Sequence, residues 1–229
     1  MRKITVFTTI MLITAAISFS SHLFTAPTEA FGQTTRKVLM ITREGYSTDL
    51  DLMIKMEVGV MTTLLKKAGF EVDIASTSGQ PILGPTQKIE KVLRLSEINL
   101  NDYVGIIMPC MAVGMFPGPP VSPQTVAIVK KSLTDGKPVA AAANATIILA
   151  DAGLLKGKKY AFATDPLKTS ETWPRKDLRF EGAIYSGPGV VQDGLIISSG
   201  ICPTLERILG VQNGTVELTQ KFIAAIKPK

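Results

Sequence analysis

Residues 136–159, GKPVAAAANATIILADAGLLKGKK, decide the fold. A Gly-Lys-Pro turn leads into a run of small apolar residues, Pro138 to Ala142, which is typical of a buried strand. The run breaks at Asn144, and a helix-like segment follows it up to Gly153. In α/β enzymes such a sharp turn between strand and helix often carries a nucleophile at the edge of the sheet. Here the turn contains no Ser, Cys or His.

Strand-like and helix-like segments alternate on both sides of this stretch. The predicted strands are 36–42, 70–75, 102–109, 138–142 and 159–163, and the predicted helices are 49–69, a short segment ending near 95, 122–135, the segment after 144, 203–209 and 215–226. Asp193-Gly194 predicts a two-residue hairpin turn between 189–192 and 195–199. This order predicts an α/β three-layer sandwich, with a mostly parallel sheet, helices on both faces and a small antiparallel hairpin.

The first thirty residues have the features of an export signal. Arg2 and Lys3 precede an uncharged apolar run from Ile4 to Phe19, and small residues at Thr28 and Ala30 suit a cleavage site. The run is short for a membrane span, although an uncleaved anchor is the alternative. We therefore expect a signal peptide at 1–30, a single domain at 31–229, and an exported, periplasmic or extracellular protein without membrane association after cleavage.

Composition excludes several classes of function. The chain has 229 residues and a net charge of +6, but its basic residues are scattered in pairs without interleaved aromatic residues, so we expect no nucleic-acid partner. The single histidine, His22, falls in the predicted signal peptide. The mature protein would then lack Ser-His and Cys-His catalytic pairs and the commonest metal ligand. We expect no metal and no cofactor.

Taken together, the segments resemble the ThiJ/PfpI family of the class I glutamine-amidotransferase-like superfamily. The resemblance rests on RKVLMIT (36–42), DYVGIIMP (102–109), GKPVAAAANA (136–145), AGLLKGKK (152–159) and VVQDGLIISSG (190–200). It covers nearly the whole chain from about Lys37. It implies a flavodoxin-like fold, a homodimer, and a pocket at the carboxyl ends of the strands. Members of this family act on 2-oxoaldehydes or peptides, mostly through a cysteine at the turn after the fourth strand, here called the elbow.

This sequence departs from the family at that pocket. The elbow cysteine corresponds to Ala143, and the family's pocket histidine corresponds to Asp165. An arginine of the family is missing from the turn at Gly200, whereas the carboxylate that usually contacts the elbow cysteine is kept as Glu57. The resemblance implies that the pocket is formed by Glu57, Cys110, Met111, Ala143, Asn144, Asp165 and Cys202, with Cys110-Met111 replacing a glycine pair at an anion site.

Two carboxyl groups are candidates for acid-base chemistry. Glu57 falls on the apolar stripe of the first helix with Met53 and Met61, where it either extends to water or points into the pocket. Asp165 precedes a proline, so it either opens a turn or supplies a second pocket carboxylate. Asn144 either fits the backbone geometry of the elbow or offers its amide to a ligand.

The cysteines, Cys110 and Cys202, each follow a predicted strand. We expect them at the same edge of the sheet, and in an exported protein a disulfide between them is a natural prediction. Inert separate thiols, a displaced nucleophile and a metal ligand are the alternatives.

Two functional hypotheses follow. The first is a small-molecule or partner-binding protein, a pseudoenzyme without the family's catalytic Cys and His. The second is an enzyme of altered chemistry, a lyase or hydrolase of small carbonyl compounds that uses Glu57 and Asp165, or Cys110.

Overall fold

A computed structural model describes residues 36–44, 49–111, 120–170 and 174–226. Contacts between Cα atoms divide the chain into residues 1–33 and 34–229, and the description below concerns the second unit. The predicted signal peptide, with His22, lies outside the described residues. Over the described ranges, no helix has the length and apolar character needed to cross a membrane.

Seven strands form the central sheet, and two pairs form small separate sheets. In chain order the strands are β1 (Arg36–Ile41), β2 (Phe70–Ser76), β3 (Ile82–Leu83), β4 (Lys88–Ile89), β5 (Leu93–Arg94), β6 (Tyr103–Met108), β7 (Val139–Ala142), β8 (Lys159–Tyr160), β9 (Ile184–Tyr185), β10 (Val190–Asp193) and β11 (Ile196–Ser199). The central sheet has the order β10-β11-β7-β6-β1-β2-β5. Its strands pair in parallel except for β10 and β11. The antiparallel β10–β11 pair confirms the predicted hairpin.

The first helix, α1, has a π-helical turn in its middle. It is α-helical over Leu50–Met53, π-helical over Ile54–Val58 and α-helical again over Gly59–Lys67. The remaining α-helices are α2 (Pro123–Thr134), α3 (Thr146–Asp151), α4 (Pro203–Leu209) and α5 (Thr215–Ile226), and short 3₁₀ turns occupy Leu95–Glu97, Leu100–Asp102, Ala143–Ala145 and Leu178–Phe180.

Alternate residues of the strands pack into two cores, one on each face of the sheet. Met40 of β1 belongs to the core that also holds Met61 of α1 and Phe222 of α5. Its neighbour Leu39 belongs to the core that holds Val129 of α2 and other residues of α2 and α3. Side chains alternate across a strand, so a sheet covered on both faces needs apolar residues at every position. The predicted three-layer α/β sandwich is confirmed.

Two predicted elements were wrong. The strand predicted at 159–163 is reduced to Lys159–Tyr160, which pairs with β9 outside the central sheet. The helical segment predicted to end near 95 instead contains β4 and β5, and only Leu95–Glu97 is helical, as a 3₁₀ turn. Both segments are short, and their conformation is set by pairing with distant residues; β5, for example, joins the end of β2.

Candidate active site

The elbow after β7 keeps the strained backbone of a nucleophile turn. Ala143 has φ of 47°, the one positive value among the described residues other than glycine. For an L-residue this left-handed conformation costs on the order of 1 kcal/mol. Ala143 is buried, and the 3₁₀ turn Ala143–Ala145 leads directly into α3. The geometry of the elbow is therefore retained although its side chain is a methyl group.

Glu57 is buried within the π-helical turn of α1 and is only 1% exposed. π-Helical turns insert one residue into a helix and occur frequently at functional sites. One carboxyl oxygen, Oε2, accepts a hydrogen bond of 2.7 Å from the backbone N–H of Cys110. Glu57 is therefore not extended to water, and its role as a pocket carboxyl stays a prediction.

The two cysteines meet beside this carboxyl group. Cys110 follows β6 and Cys202 follows β11, and these strands lie on either side of β7, which carries the elbow. The sulfur atoms of Cys110 and Cys202 and a carboxyl oxygen of Glu57 all lie within 4.8 Å of one another. The backbone N–H of Asn144 also donates a hydrogen bond to the sulfur of Cys110. Two thiols from the strand ends on either side of β7 therefore meet at the Glu57 carboxyl.

Both cysteines are free thiols in this structure, Cys202 buried and Cys110 half-buried. The positions agree with the prediction that they share one edge of the sheet, and the S–S bond is not formed. Cys110 directs its S–H to the sulfur of Cys202. The backbone N–H groups of Leu205 and Thr204 also donate hydrogen bonds to the sulfur of Cys202.

These contacts separate the acidities of the three groups. The hydrogen bond from Cys110 lowers the pKa of Cys202 to about 7, although burial opposes it. The same bond, with burial, raises the pKa of Cys110 well above its ordinary value. Burial, and then the charge of Cys202, raise the pKa of Glu57 to about 8. Near pH 7 about half of Cys202 is therefore thiolate, while Glu57 and Cys110 keep their protons.

Arg43 is a member of the site that the sequence analysis did not identify. It follows the central strand β1, and its positive charge lowers the pKa of Glu57. Its guanidinium contacts the Asp49 carboxylate at 2.6 Å, while its buried Nε has no hydrogen-bond partner within the described part of the chain. The position of this positively charged residue shortly after a central strand was the signal by which the sequence could have identified Arg43. An unpartnered N–H donor of this kind suits an anionic or carbonyl oxygen of a ligand.

The other predicted pocket residues are placed differently. Asp165 lies in a turn, where its carboxylate accepts the N–H of Leu167 at 3.1 Å and lies 3.6 Å from Nζ of Lys168. It is not in the cluster of Glu57 with the two thiols. Met111 is buried in the core beneath α2 and α3, and Asn144 is half-buried at the elbow.

The turn at Gly200 is closely packed. A Cβ there would lie 2.6 Å from the carbonyl carbon and oxygen of Phe162. Real Cβ atoms essentially never come so close to other atoms, so this position requires glycine.

The cluster can be considered for two kinds of chemistry. Two sulfurs and one carboxylate oxygen within 4.8 Å could bind a soft metal cation. A buried thiolate with a second thiol and a protonated carboxyl beside it can also act as a nucleophile with a nearby acid.

This chain is similar in sequence to known proteins. The DJ-1/PfpI family model matches residues 36–209. A deglycase of Thermococcus kodakarensis is 32% identical over 165 residues, covering 71% of this chain and 89% of the relative. The deglycase PfpI of Pyrococcus furiosus is 34% identical over 137 residues, covering 59% of this chain and 76% of the relative.

Solved structures show the same fold. A ThiJ/PfpI domain protein from Brachyspira murdochii superposes with a TM-score of 0.60 at 15% identity, covering 84% of this chain and 96% of the other. Drosophila melanogaster DJ-1beta gives a TM-score of 0.54 at 18% identity, covering 84% of this chain and 90% of the other. The fold, the family match and the retained elbow lead to one assignment: this chain belongs to the DJ-1/PfpI family.

Proposed function

We propose that this protein is a thiol-dependent enzyme that acts on small carbonyl compounds, with the Cys202 thiolate in the role of the absent elbow thiol. The observation that carries the proposal is the cluster of Cys110, Cys202 and Glu57 atoms within 4.8 Å beside an elbow whose own residue is alanine. The deglycase names of two relatives support the substrate class, because glycation adducts form from carbonyl compounds.

The three groups have complementary tasks in this proposal. The Cys202 thiolate adds to an aldehyde carbon, and the carbonyl oxygen takes up the electron pair as an alkoxide. Glu57, protonated at neutral pH because burial raises its pKa to about 8, supplies the proton to that oxygen. For methylglyoxal, the resulting hemithioacetal then isomerises by transfer of a proton from C1 to C2, which gives a thioester of the 2-hydroxy acid. Hydrolysis of the thioester by water releases the acid and returns the Cys202 thiol. Cys110 positions the thiolate by donating its S–H, and its N–H holds the Glu57 carboxyl in place. The pseudoenzyme hypothesis placed no nucleophile here, and this cluster is the reason to prefer an enzyme.

We also propose that the protein works outside the cytoplasm. The support is the basic, apolar and small-residue pattern of residues 1–30, and the test is the N-terminal sequence of the protein secreted or released from its host. A start near Phe31 supports export, whereas an intact Met1 in the cytoplasmic fraction contradicts it.

The proposed carbonyl chemistry is tested by a methylglyoxal turnover assay on reduced protein. The assay contains a chelator, so that metal does not occupy the thiols. We expect native protein to consume methylglyoxal. Cys202→Ser should reduce turnover to background, and Glu57→Gln should reduce it by about a hundredfold or more. Glu97→Gln, which removes an exposed carboxylate, is the matched control and should retain native activity.

Two results would overturn the proposal. One is turnover that survives in Cys202→Ser, which would place the nucleophile elsewhere. The other is the absence of turnover in folded native protein together with stabilisation by a bound small molecule, which would favour the binding protein. Circular dichroism and melting of each variant separate loss of chemistry from loss of fold.

A further inference from the structure

We propose that Cys110 and Cys202 form a two-thiol centre that reduces small hydroperoxides, with Cys202 as the thiol that attacks the peroxide and Cys110 as the resolving thiol. This activity would be additional to the carbonyl chemistry and does not depend on it. The two thiols are the only cysteines of the chain, so the products of oxidation can be counted without ambiguity.

The geometry brings the sulfurs together although the sheet separates their strands. Adjacent strands lie about 4.8 Å apart, so β6 and β11, on either side of β7, are separated by about twice that distance. The sulfurs themselves lie within 4.8 Å of one another. A disulfide of about 2.05 Å therefore requires them to approach by less than about 3 Å. Cys110 lies outside regular secondary structure, where side-chain rotation and a small backbone shift can supply that movement.

The residues at the elbow, between the strands that carry the two thiols, have small side chains. β7 ends at Ala142 and is followed by Ala143, and both side chains are buried methyl groups. The thiols on either side consequently share the space beside the elbow, and the Asn144 N–H contacts one of them.

The chemical steps balance with a hydroperoxide and a thiol reductant as co-reactants. The Cys202 thiolate attacks the terminal peroxide oxygen, so an S–O bond forms and the O–O bond breaks. The leaving alkoxide takes a proton, for which the Glu57 carboxyl is the adjacent donor, and departs as an alcohol. Cys202, oxidised by two electrons, is then a sulfenic acid.

Cys110 completes the cycle. Its sulfur attacks the Cys202 sulfur, an S–S bond forms, and the S–O bond breaks with release of water once the thiol proton is transferred. In sum, two thiols and one hydroperoxide give one disulfide, one alcohol and one water. Two molecules of an external thiol return the disulfide to the starting pair by exchange.

The first step should be faster than for free cysteine. With a pKa of about 7, about half of Cys202 is thiolate at neutral pH, whereas free cysteine is about 3% thiolate, a ratio of about 15. The lower basicity reduces nucleophilicity by about fivefold. The net expectation is a rate about threefold above free cysteine from ionisation alone. Within the described residues Cys110 is half-buried and Cys202 is buried.

The experiment treats the reduced full-length protein, in chelator, with one equivalent of hydrogen peroxide. We expect both thiols to disappear together, a mass loss of two hydrogens without added oxygen, and one cross-linked peptide that joins Cys110 to Cys202. In Cys110→Ser the reaction should stop at a sulfenic acid that is trapped by dimedone. In Cys202→Ser the remaining thiol should react no faster than free cysteine.

Several results would overturn the proposal. Native protein that keeps both thiols free after the treatment excludes the centre. A product that gains oxygen on one cysteine while the other stays free excludes Cys110 as the resolving thiol. Rapid oxidation of Cys202→Ser reverses the assigned roles. Since the decisive readout uses native protein, a variant that fails to fold does not affect it, and the absence of methylglyoxal turnover would leave it unchanged.

Discussion

The buried carboxyl of Glu57 gives the sharpest prediction about stability. Its pKa is raised from 4.5 to about 8, so the folded protein keeps this proton where the unfolded chain has lost it. The contribution of this proton to the stability of the folded protein is complete below about pH 4.5. Between about pH 4.5 and about pH 8 the free energy of unfolding falls by about 1.4 kcal/mol per pH unit, and above about pH 8 the contribution is lost. Over the full interval the loss is on the order of 5 kcal/mol. Cys202, with its pKa of about 7, is still largely protonated between about pH 5 and about pH 6.5. Over that interval the loss of unfolding free energy is about 2 kcal/mol.

Glu57→Gln removes this proton while keeping an oxygen that accepts the Cys110 N–H. We expect the free energy of unfolding of the variant, minus that of native protein, to increase by about 2 kcal/mol from about pH 5 to about pH 6.5. Urea unfolding of reduced protein at a series of pH values measures this difference. The exposed control, Glu97→Gln, should differ from native protein by less than about 0.5 kcal/mol. A difference between Glu57→Gln and native protein that stays constant with pH would refute the argument.

Two further predictions concern the thiol pair and the packing beneath it. Cys110→Ala removes the main hydrogen bond that lowers the pKa of Cys202, so it should raise that pKa toward 9. Cys110→Ser keeps an O–H donor and should raise the pKa of Cys202 less. The pH dependence of thiolate absorbance distinguishes the two variants. Gly200→Ala places a Cβ 2.6 Å from a backbone carbonyl and should lower the free energy of unfolding by about 3 kcal/mol or more. The control, Gly189→Ala, places a Cβ with no atom within 4 Å and should change the free energy of unfolding by less than about 1 kcal/mol. Chemical denaturation measures both changes.

Much of the fold could be predicted because its strands are long and apolar. Continuous apolar runs predicted β1, β6 and β7, alternation predicted β2, and Asp193-Gly194 predicted the hairpin. Segments with only a few paired residues could not be predicted in the same way. For β4, β5 and β8, pairing with distant residues outweighs local propensity.

Several residues of the candidate site could be named before the structure was known, but their spatial arrangement could not. The family resemblance placed Glu57 and both cysteines in the predicted pocket, and each cysteine follows a predicted strand. Their convergence depends on β6 and β11 flanking β7, which is a property of sheet order that no local pattern contains. The π-helical turn that presents Glu57, and the proximity of Arg43, likewise depend on tertiary packing. Asp165 was a pocket candidate by correspondence with the family histidine, but its carboxylate closes its own turn.

The proposed function places the reactive thiolate at Cys202, in the role of the absent elbow thiol. The most direct test is the pH titration of thiolate absorbance in reduced native protein and in Cys202→Ser, with Cys110→Ser as the companion variant. We predict a step in native protein with a midpoint at about pH 7 that is absent from Cys202→Ser. A native protein whose thiols ionise only near their ordinary pKa, or a step at about pH 7 that persists in Cys202→Ser, would contradict the account.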